Sequence, residues 1–163
     1  MALANLQDWQ LEGRLGVQRP AEAWQARIVW HHEISQDRLL ILGPLNQGML
    51  SIVLREGMIY LNEGQGEKIS SHEPEKVLQE RLGFPVPIYS LRYWILGLPD
   101  PALAHAAASN LGGVSVFEQA GWMVESSDHG VSDGYRVPGK LKIQGREVKL
   151  KLVIDQWKTR IHP

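Results

Sequence analysis

The chain has 163 residues, 44% of them apolar and 21% charged, with 17 Lys plus Arg against 18 Asp plus Glu and a formal net charge of −1. That length is expected to form a single domain over residues 1–163, and the balance is that of a globular chain with a core, not a disordered one. No strong positive field gathers phosphates, so no nucleic-acid partner is expected, and the lack of cysteine excludes disulfides, thiolate metal sites and cysteine nucleophiles together.

From the N-terminus, Met1 to Asn5 shows neither the basic region nor the apolar stretch of a secretory leader. Trp9, Leu11, Leu15 and Val17 then share one face, with Gly13 among them, while Gln10, Glu12 and Arg14 face the other way. That alternation predicts a half-buried strand. A turn at Arg19-Pro20-Ala21-Glu22 leads to a second strand, in which Trp24, Ala26, Ile28 and Trp30 alternate with Gln25, Arg27, Val29 and His31. Further strands are predicted at Asp37–Leu42, Met49–Leu54, Gly57–Leu61 and Glu67–Ser70. Between the third and fourth, Gly43 to Gly48 is a run of turn formers that carries one large apolar residue, Leu45.

The period then changes. Ser71 to Gly83 predicts a helix, with Pro74 in its first turn, Val77, Leu78 and Leu82 as its apolar stripe, and Gly83 as its stop. A second short helix is predicted from Ile88 to Leu96, with Ile88, Leu91 and Ile95 on one face and Trp94 beside them. Asp100 to Ala108 reads as a third short helix or an ordered loop, which puts the whole helical lid at about 71–108. Strands return at Val114–Gln119 and Trp122–Ser127, around Ala120-Gly121. Asp128 to Gly134 reads as polar and flexible. Pro138–Ile143 and Glu147–Trp157 flank the turn Gln144-Gly145-Arg146. Consecutive strands with short turns imply antiparallel pairing. So many strands in one small domain must curl into a barrel or half-barrel, or split into a sandwich. Helices placed midway can cover the mouth of a curled sheet, the architecture of an apolar-ligand container.

Catalytic constellations are not found. His31 and His32 are adjacent on a strand, so their rings point to opposite faces and cannot share a metal. Ser90 lies near the start of a helix, as an N-cap or first-turn residue, without the Gly-x-Ser-x-Gly setting of a hydrolase nucleophile. Glu73, Glu75 and Glu80 read as the polar face of a helix. No phosphate loop or dinucleotide fingerprint occurs. The expectation is a protein that is not an enzyme and uses neither cofactor nor metal. Lys140, Lys142, Arg146, Lys149, Lys151 and Lys158 form a basic group, read either as the solvated face of a hairpin or as a patch for anionic lipid or an acidic partner. Leu45, from local pattern alone, either folds back on the rim or projects as a finger.

Val86-Pro-Ile-Tyr-Ser-Leu-Arg-Tyr-Trp-Ile-Leu-Gly-Leu-Pro99 closely resembles the Pro-x-x-Ser-Leu-Arg-x-Trp-Ile-Leu-Gly segment of the LolB family of outer-membrane lipoprotein receptors. Arg38 to Asn46 resembles that family's strand and Asn-Pro-Leu-Gly loop, and Gly121-Trp122 and the ending from Pro138 to Trp157 also fit. The resemblance runs from about Leu6 to Trp157. It implies a mostly β fold with short helices: an unclosed antiparallel β-barrel of about 10–11 strands covered by a helical lid. It implies a monomer at the periplasmic face of the outer membrane that accepts acylated lipoproteins from the periplasmic carrier LolA and delivers them to the inner leaflet of that membrane. Pro44 and Leu45 fall on the family's membrane-insertion loop. Gly43 and Asn46 replace the family's Asn and Gly there. The family is anchored through an N-terminal cysteine, which this sequence lacks, so the soluble form is expected here.

The physics sets the requirement. An acyl chain of about sixteen carbons exposed to water loses about 12 kcal/mol, at ~0.8 kcal/mol per methylene. A receptor must therefore offer an apolar hollow with room for a tail before the carrier lets go. Candidate lining residues are Trp30, Ile52, Leu54 and Tyr60 from the first half of the chain, Leu91, Trp94 and Ile95 from the lid, and Trp122, Leu150 and Leu152 from the second half. No nucleotide site is present, so transfer would run down a gradient of affinity. Other readings are a soluble lipoprotein carrier of the same fold and a generic lipid-binding β-domain.

Overall fold

Residues 3–43, 48–64 and 68–159 are described in a computed structural model, without the side chains of 107–111. The alternating segments form β1 (Trp9–Gln18), β2 (Ala23–His32), β3 (Gln36–Leu42), β4 (Met49–Arg55), β5 (Met58–Asn62) and β6 (Lys68–Ser71). Two helices follow, α1 (Pro74–Leu82) and α2 (Ile88–Trp94). The chain then returns to β7 (His105–Leu111), β8 (Val114–Gln119), β9 (Trp122–Ser127), the short β10 (Gly130–Ser132) and β11 (Tyr135–Val137), and finally β12 (Lys140–Gly145) and β13 (Val148–Lys158).

Eleven strands form one antiparallel sheet in the order β6-β5-β4-β3-β2-β1-β13-β12-β9-β8-β7. Pairing of β1 with β13 joins two meanders, one on each side of the helices in sequence. The edge strands β6 and β7 are not paired with each other, so the barrel is unclosed. The longer described strands each bury one set of alternate side chains. In β2 these are Ala26, Ile28 and Trp30; in β13 they are Val148, Leu150 and Leu152. At the β1–β13 seam the register slips. Glu12 faces Gln156 and Gly13 faces Ile154, which leaves Asp155 as an extra residue. Such a bulge bends the sheet and adds twist. Gly13 is required there, because a Cβ would collide with the carbonyl of Val153.

The two helices pack across the concave face. α1 begins at Pro74 and ends at Gly83, whose φ of 86° places it in the left-handed region, with its N–H donating to Gln79 O at 2.8 Å. Leu78 of α1 is buried, and Val77 and Leu82 pack partly buried against the core. Aromatic contacts stiffen one end of the interior. Trp9 lies 5.5 Å from Trp30, 5.2 Å from His32 and 5.7 Å from Trp157, between ring centres.

Two expectations fail. Asp100 to Ala108 is neither helix nor loop throughout: a turn carries the chain to Leu103, and from His105 it is strand β7, paired with β8. The helical part of the lid therefore ends at Trp94, not near 108. Asp128 to Gly134 is not a free polar loop; most of it belongs to the β10–β11 ribbon, with Ser132 opposite Tyr135 and a turn at Asp133-Gly134. Among the described residues no helix is long and apolar enough to cross a membrane.

Candidate functional site

Between lid and sheet lies a hollow of about 80 Å³ whose 18 lining residues are all apolar. The floor comes from inward positions of six strands: Leu15 and Val17 of β1, Trp24, Ile28 and Trp30 of β2, Leu39 and Ile41 of β3, Ile52 of β4, Ile143 of β12, and Leu150 and Leu152 of β13. The roof comes from Leu78 and Leu82 of α1, Phe84 and Val86 of the connector, Ile88 and Leu91 of α2, and Ile95 just beyond it. Alternation with period two in the strands and i, i+3, i+4 spacing in the helices direct all these side chains to one space. No charged or polar side chain enters it. Such a surface binds hydrocarbon without directional recognition.

The hollow opens at one end. Leu15, Trp24, Ile41 and Leu82 are half-buried, whereas most of the remaining lining is buried. These residues gather where β1 ends, β2 begins, β3 ends and α1 ends, since Val17 pairs with Trp24 and Ile28 with Ile41. The Arg19 guanidinium stands 5.8 Å over the Phe84 ring at this rim. The segment between β3 and β4 leaves the sheet at the same end, because Leu42 is paired with Met49. Pro44 and Leu45 belong to that segment and lie outside the described residues.

Of the ten candidate lining residues, Trp30, Ile52, Leu91, Ile95, Leu150 and Leu152 meet around the hollow. Tyr60 does not: it is 37% exposed on the outer face of β5, one position out of phase with buried Ile59 and Leu61, and it stacks under Arg55 at 5.3 Å. Leu54 is buried at the far end of β4, beyond the hollow. Trp94 and Trp122 are buried against each other at 6.3 Å and form solid core beside the hollow, not its wall. The hollow is also smaller than a tail requires. An apolar cavity of about 150 Å³ holds one benzene ring, so about 80 Å³ cannot shelter a long acyl chain. Roof side chains such as Leu91 and Ile95 occupy the remaining space.

Polar groups that sequence reading missed hold α2 down. Asp37 of β3 is 2% exposed. It accepts from Trp30 Nε1 at 3.0 Å, lies 2.7 Å from His32 Nδ1, and pairs with Arg92 of α2 at 3.3 Å. Arg92 also stacks on Tyr89 at 5.2 Å, and its buried Nε has no hydrogen-bond partner. On the other side of the helix, Ser90 sits in the first turn and not at the cap. Its hydroxyl donates to Asp100 Oδ2 at 2.7 Å, and α2 has no side-chain cap at Pro87. Gln119 of β8 accepts from Trp94 Nε1 at 2.7 Å and from Asp100 N at 2.8 Å, and donates to Asp100 O at 2.8 Å and Leu103 O at 3.1 Å. The signal for these residues was the presence of Asp37 and Gln119 at buried positions in apolar alternation, since a buried polar group needs partners. α1 is held differently, by its apolar stripe and by a partly exposed Arg81–Glu63 pair at 3.3 Å.

The histidines stay apart, as strand alternation requires: His31 Nε2 lies 3.0 Å from Asp8 and His32 Nδ1 2.7 Å from Asp37. Among the described residues no group of three His, Asp or Glu side chains is placed to hold a metal.

The family profile described as outer membrane lipoprotein LolB matches residues 7–157. The chain belongs to the LolB family. An outer-membrane lipoprotein LolB of Nitrosococcus oceani is 32% identical over 158 residues, which cover 96% of this chain and 79% of that protein. Its counterpart from Pseudomonas aeruginosa PAO1 is 32% identical over 163 residues, covering 97% of this chain and 78% of its own. Among solved structures, a LolA superfamily protein from Nitrosomonas europaea superposes with a TM-score of 0.59 at 9% identity, over 98% of this chain and 89% of that one. This chain and that protein thus share a fold.

Proposed function

We propose that this protein receives acylated lipoproteins from a soluble periplasmic carrier of the LolA type and passes them to the inner leaflet of the outer membrane, with no catalytic step and no nucleotide. The observation that carries the reading is the wholly apolar hollow between sheet and lid in a chain of the LolB family. Outer-membrane localisation is proposed from the names of the relatives. The described conformation is the closed one. Its hollow of about 80 Å³ must widen to take a tail, and among the described residues the lid is the part of the wall that is not stitched into the sheet.

Loading then exchanges one apolar surface for another. Roof side chains that now pack on the floor give way to acyl chain, so opening costs burial that the tail restores. α1 and the 83–87 connector are the moving part, because α2 is pinned on both sides by buried polar groups. Leu45 is proposed to enter the leaflet as cargo leaves. One leucine contributes only ~1.5–3 kcal/mol of burial, enough for a trigger and too little for an anchor.

The test offers the chain a triacylated lipoprotein bound to its carrier, and then outer-membrane vesicles. Capture followed by insertion is expected, with Leu45→Glu keeping capture and losing insertion. A chain that takes no cargo from the loaded carrier would overturn the proposal. Equal insertion by the variant would remove Leu45 from the mechanism.

A further inference from the structure

The near-zero net charge conceals a local cluster of cations. On the outer face of β2, β1, β13 and β12, opposite the hollow, six cations stand together: Arg27, Arg14, Lys149, Lys151, Lys140 and Lys142. Their strand neighbours Leu141, Ile143, Leu150 and Leu152 are buried, which fixes the cations outward. The register sets two pairs of like charge directly against each other, Arg14 opposite Arg27 and Lys142 opposite Lys151. Like charges directly opposite in a ladder cost stability. Among the described residues, acids reach only two of the six cations. Asp155 pairs with Arg14 at 2.9 Å, Glu125 reaches Lys142 only at 3.9 Å, and Glu12 faces Val29 and Gln156. Among the described residues no acidic side chain pairs with Arg27, Lys140, Lys149 or Lys151.

The surroundings indicate what this face meets. It is the convex outside of the curled sheet, filled out by Gly16, Gln25 and Gln144, with no aromatic side chain on the outward positions of β1, β12 or β13. A protein partner of stable affinity is gripped by buried aromatic or arginine anchors in pockets. Lysines spread over a convex surface without pockets suit instead a layer of mobile anionic headgroups, each contributing through charge alone. The face also adjoins the rim at which the hollow opens, because Arg27 pairs with Leu42, the last residue of β3.

We infer that this outer face is a docking surface for anionic phospholipid headgroups, which holds the rim of the hollow close to a bilayer. The inference stands whether or not the hollow carries acyl chains.

The experiment is co-sedimentation of the full chain with vesicles of phosphatidylcholine alone or of phosphatidylcholine with phosphatidylglycerol, at rising salt. Binding is expected only with phosphatidylglycerol and is expected to fade as salt screens it. The triple variant K142Q/K149Q/K151Q should bind about a hundredfold more weakly at low salt, from about 1 kcal/mol per lysine near the surface. Its thermal midpoint should be unchanged or higher, since a like-charge pair has been removed. The triple Lys→Arg variant should bind as the parent does. Equal binding to both vesicle types overturns the inference, as does undiminished binding by the glutamine variant. A glutamine variant that loses only uptake from a loaded carrier, with vesicle binding intact, makes the face a protein contact and overturns it as well.

Discussion

Neutralising Asp37 tests how the lid is held. In Asp37→Asn the carboxamide oxygen can still accept from Trp30 Nε1, now at 3.0 Å, but Arg92 loses its anionic partner. Breaking a fully buried ion pair costs about 3–5 kcal/mol. The Arg92 side chain is 24% exposed and keeps its stacking on Tyr89, so water and ring recover part of that, and a loss of about 2 kcal/mol is expected. With an m-value of about 2 kcal/mol/M, the urea midpoint should fall by about 1 M. Hydrogen exchange should localise the effect. The amides of Leu91 and Ile95, bonded to Pro87 O at 2.9 Å and Leu91 O at 3.0 Å, should lose protection, while those of α1, which has no tie to Asp37, should not. An unchanged midpoint, or loosening of α1 in place of α2, would refute the assignment of Asp37 as the clamp.

Three further outcomes are expected. Gly13→Ala should destabilise by about 1–3 kcal/mol in chemical denaturation, because its methyl group meets the Val153 carbonyl at the bulge; a neutral effect would mean that the seam gives way freely. Leu91→Ala should cost about 3 kcal/mol and tighten binding of a small hydrocarbon probe by enlarging the hollow that Leu91 lines; destabilisation without tighter binding would count against an accessible hollow. His129 is held below its ordinary value of 6.5 by burial first and by the nearby Arg136 second. The unfolded chain therefore binds a proton before the folded one does, and stability should fall as pH drops below about 6.5. His129→Gln should flatten that part of the stability–pH curve, and an unchanged slope would contradict the burial.

Much of the fold is legible in the residues, because one physical rule repeats. Alternation placed ten of the strands to within a residue or two, and the change of period at Ser71 marked the helices. Where reading failed, a longer-range interaction overrode local preference. Ala104 to Ala108 has helical composition, yet the backbone of His105 to Leu111 completes a ladder with β8, and the cap-like bond from Ala102 N–H to Asp100 leads only into a turn, with Asp100 also accepting from Ser90. Asp133-Gly134 was a hairpin signal in plain view, with φ of 46° and 87° in the structure, masked by the polarity around it.

The site divides in the same way. Phase along each strand identifies inward residues, so Trp30, Ile52, Leu150 and Leu152 could be named in advance, and Tyr60 was misassigned by ignoring its phase relative to Ile59 and Leu61. Whether an inward residue faces a hollow or solid core depends on what the lid places opposite it. Trp94 and Trp122 fill each other's space; Ile28 and Leu39 do not fill theirs. No one-dimensional pattern encodes that difference.

The most direct test of the central claim is a photoreactive acyl chain on a triacylated lipopeptide, crosslinked to the protein and mapped by mass spectrometry. A hollow that opens by movement of α1 predicts one lipopeptide per chain, with label on floor residues such as Ile28, Ile52 and Leu150 and loss of exchange protection across α1. Label confined to outward residues such as Tyr60 and Met123, with α1 unchanged, would contradict it.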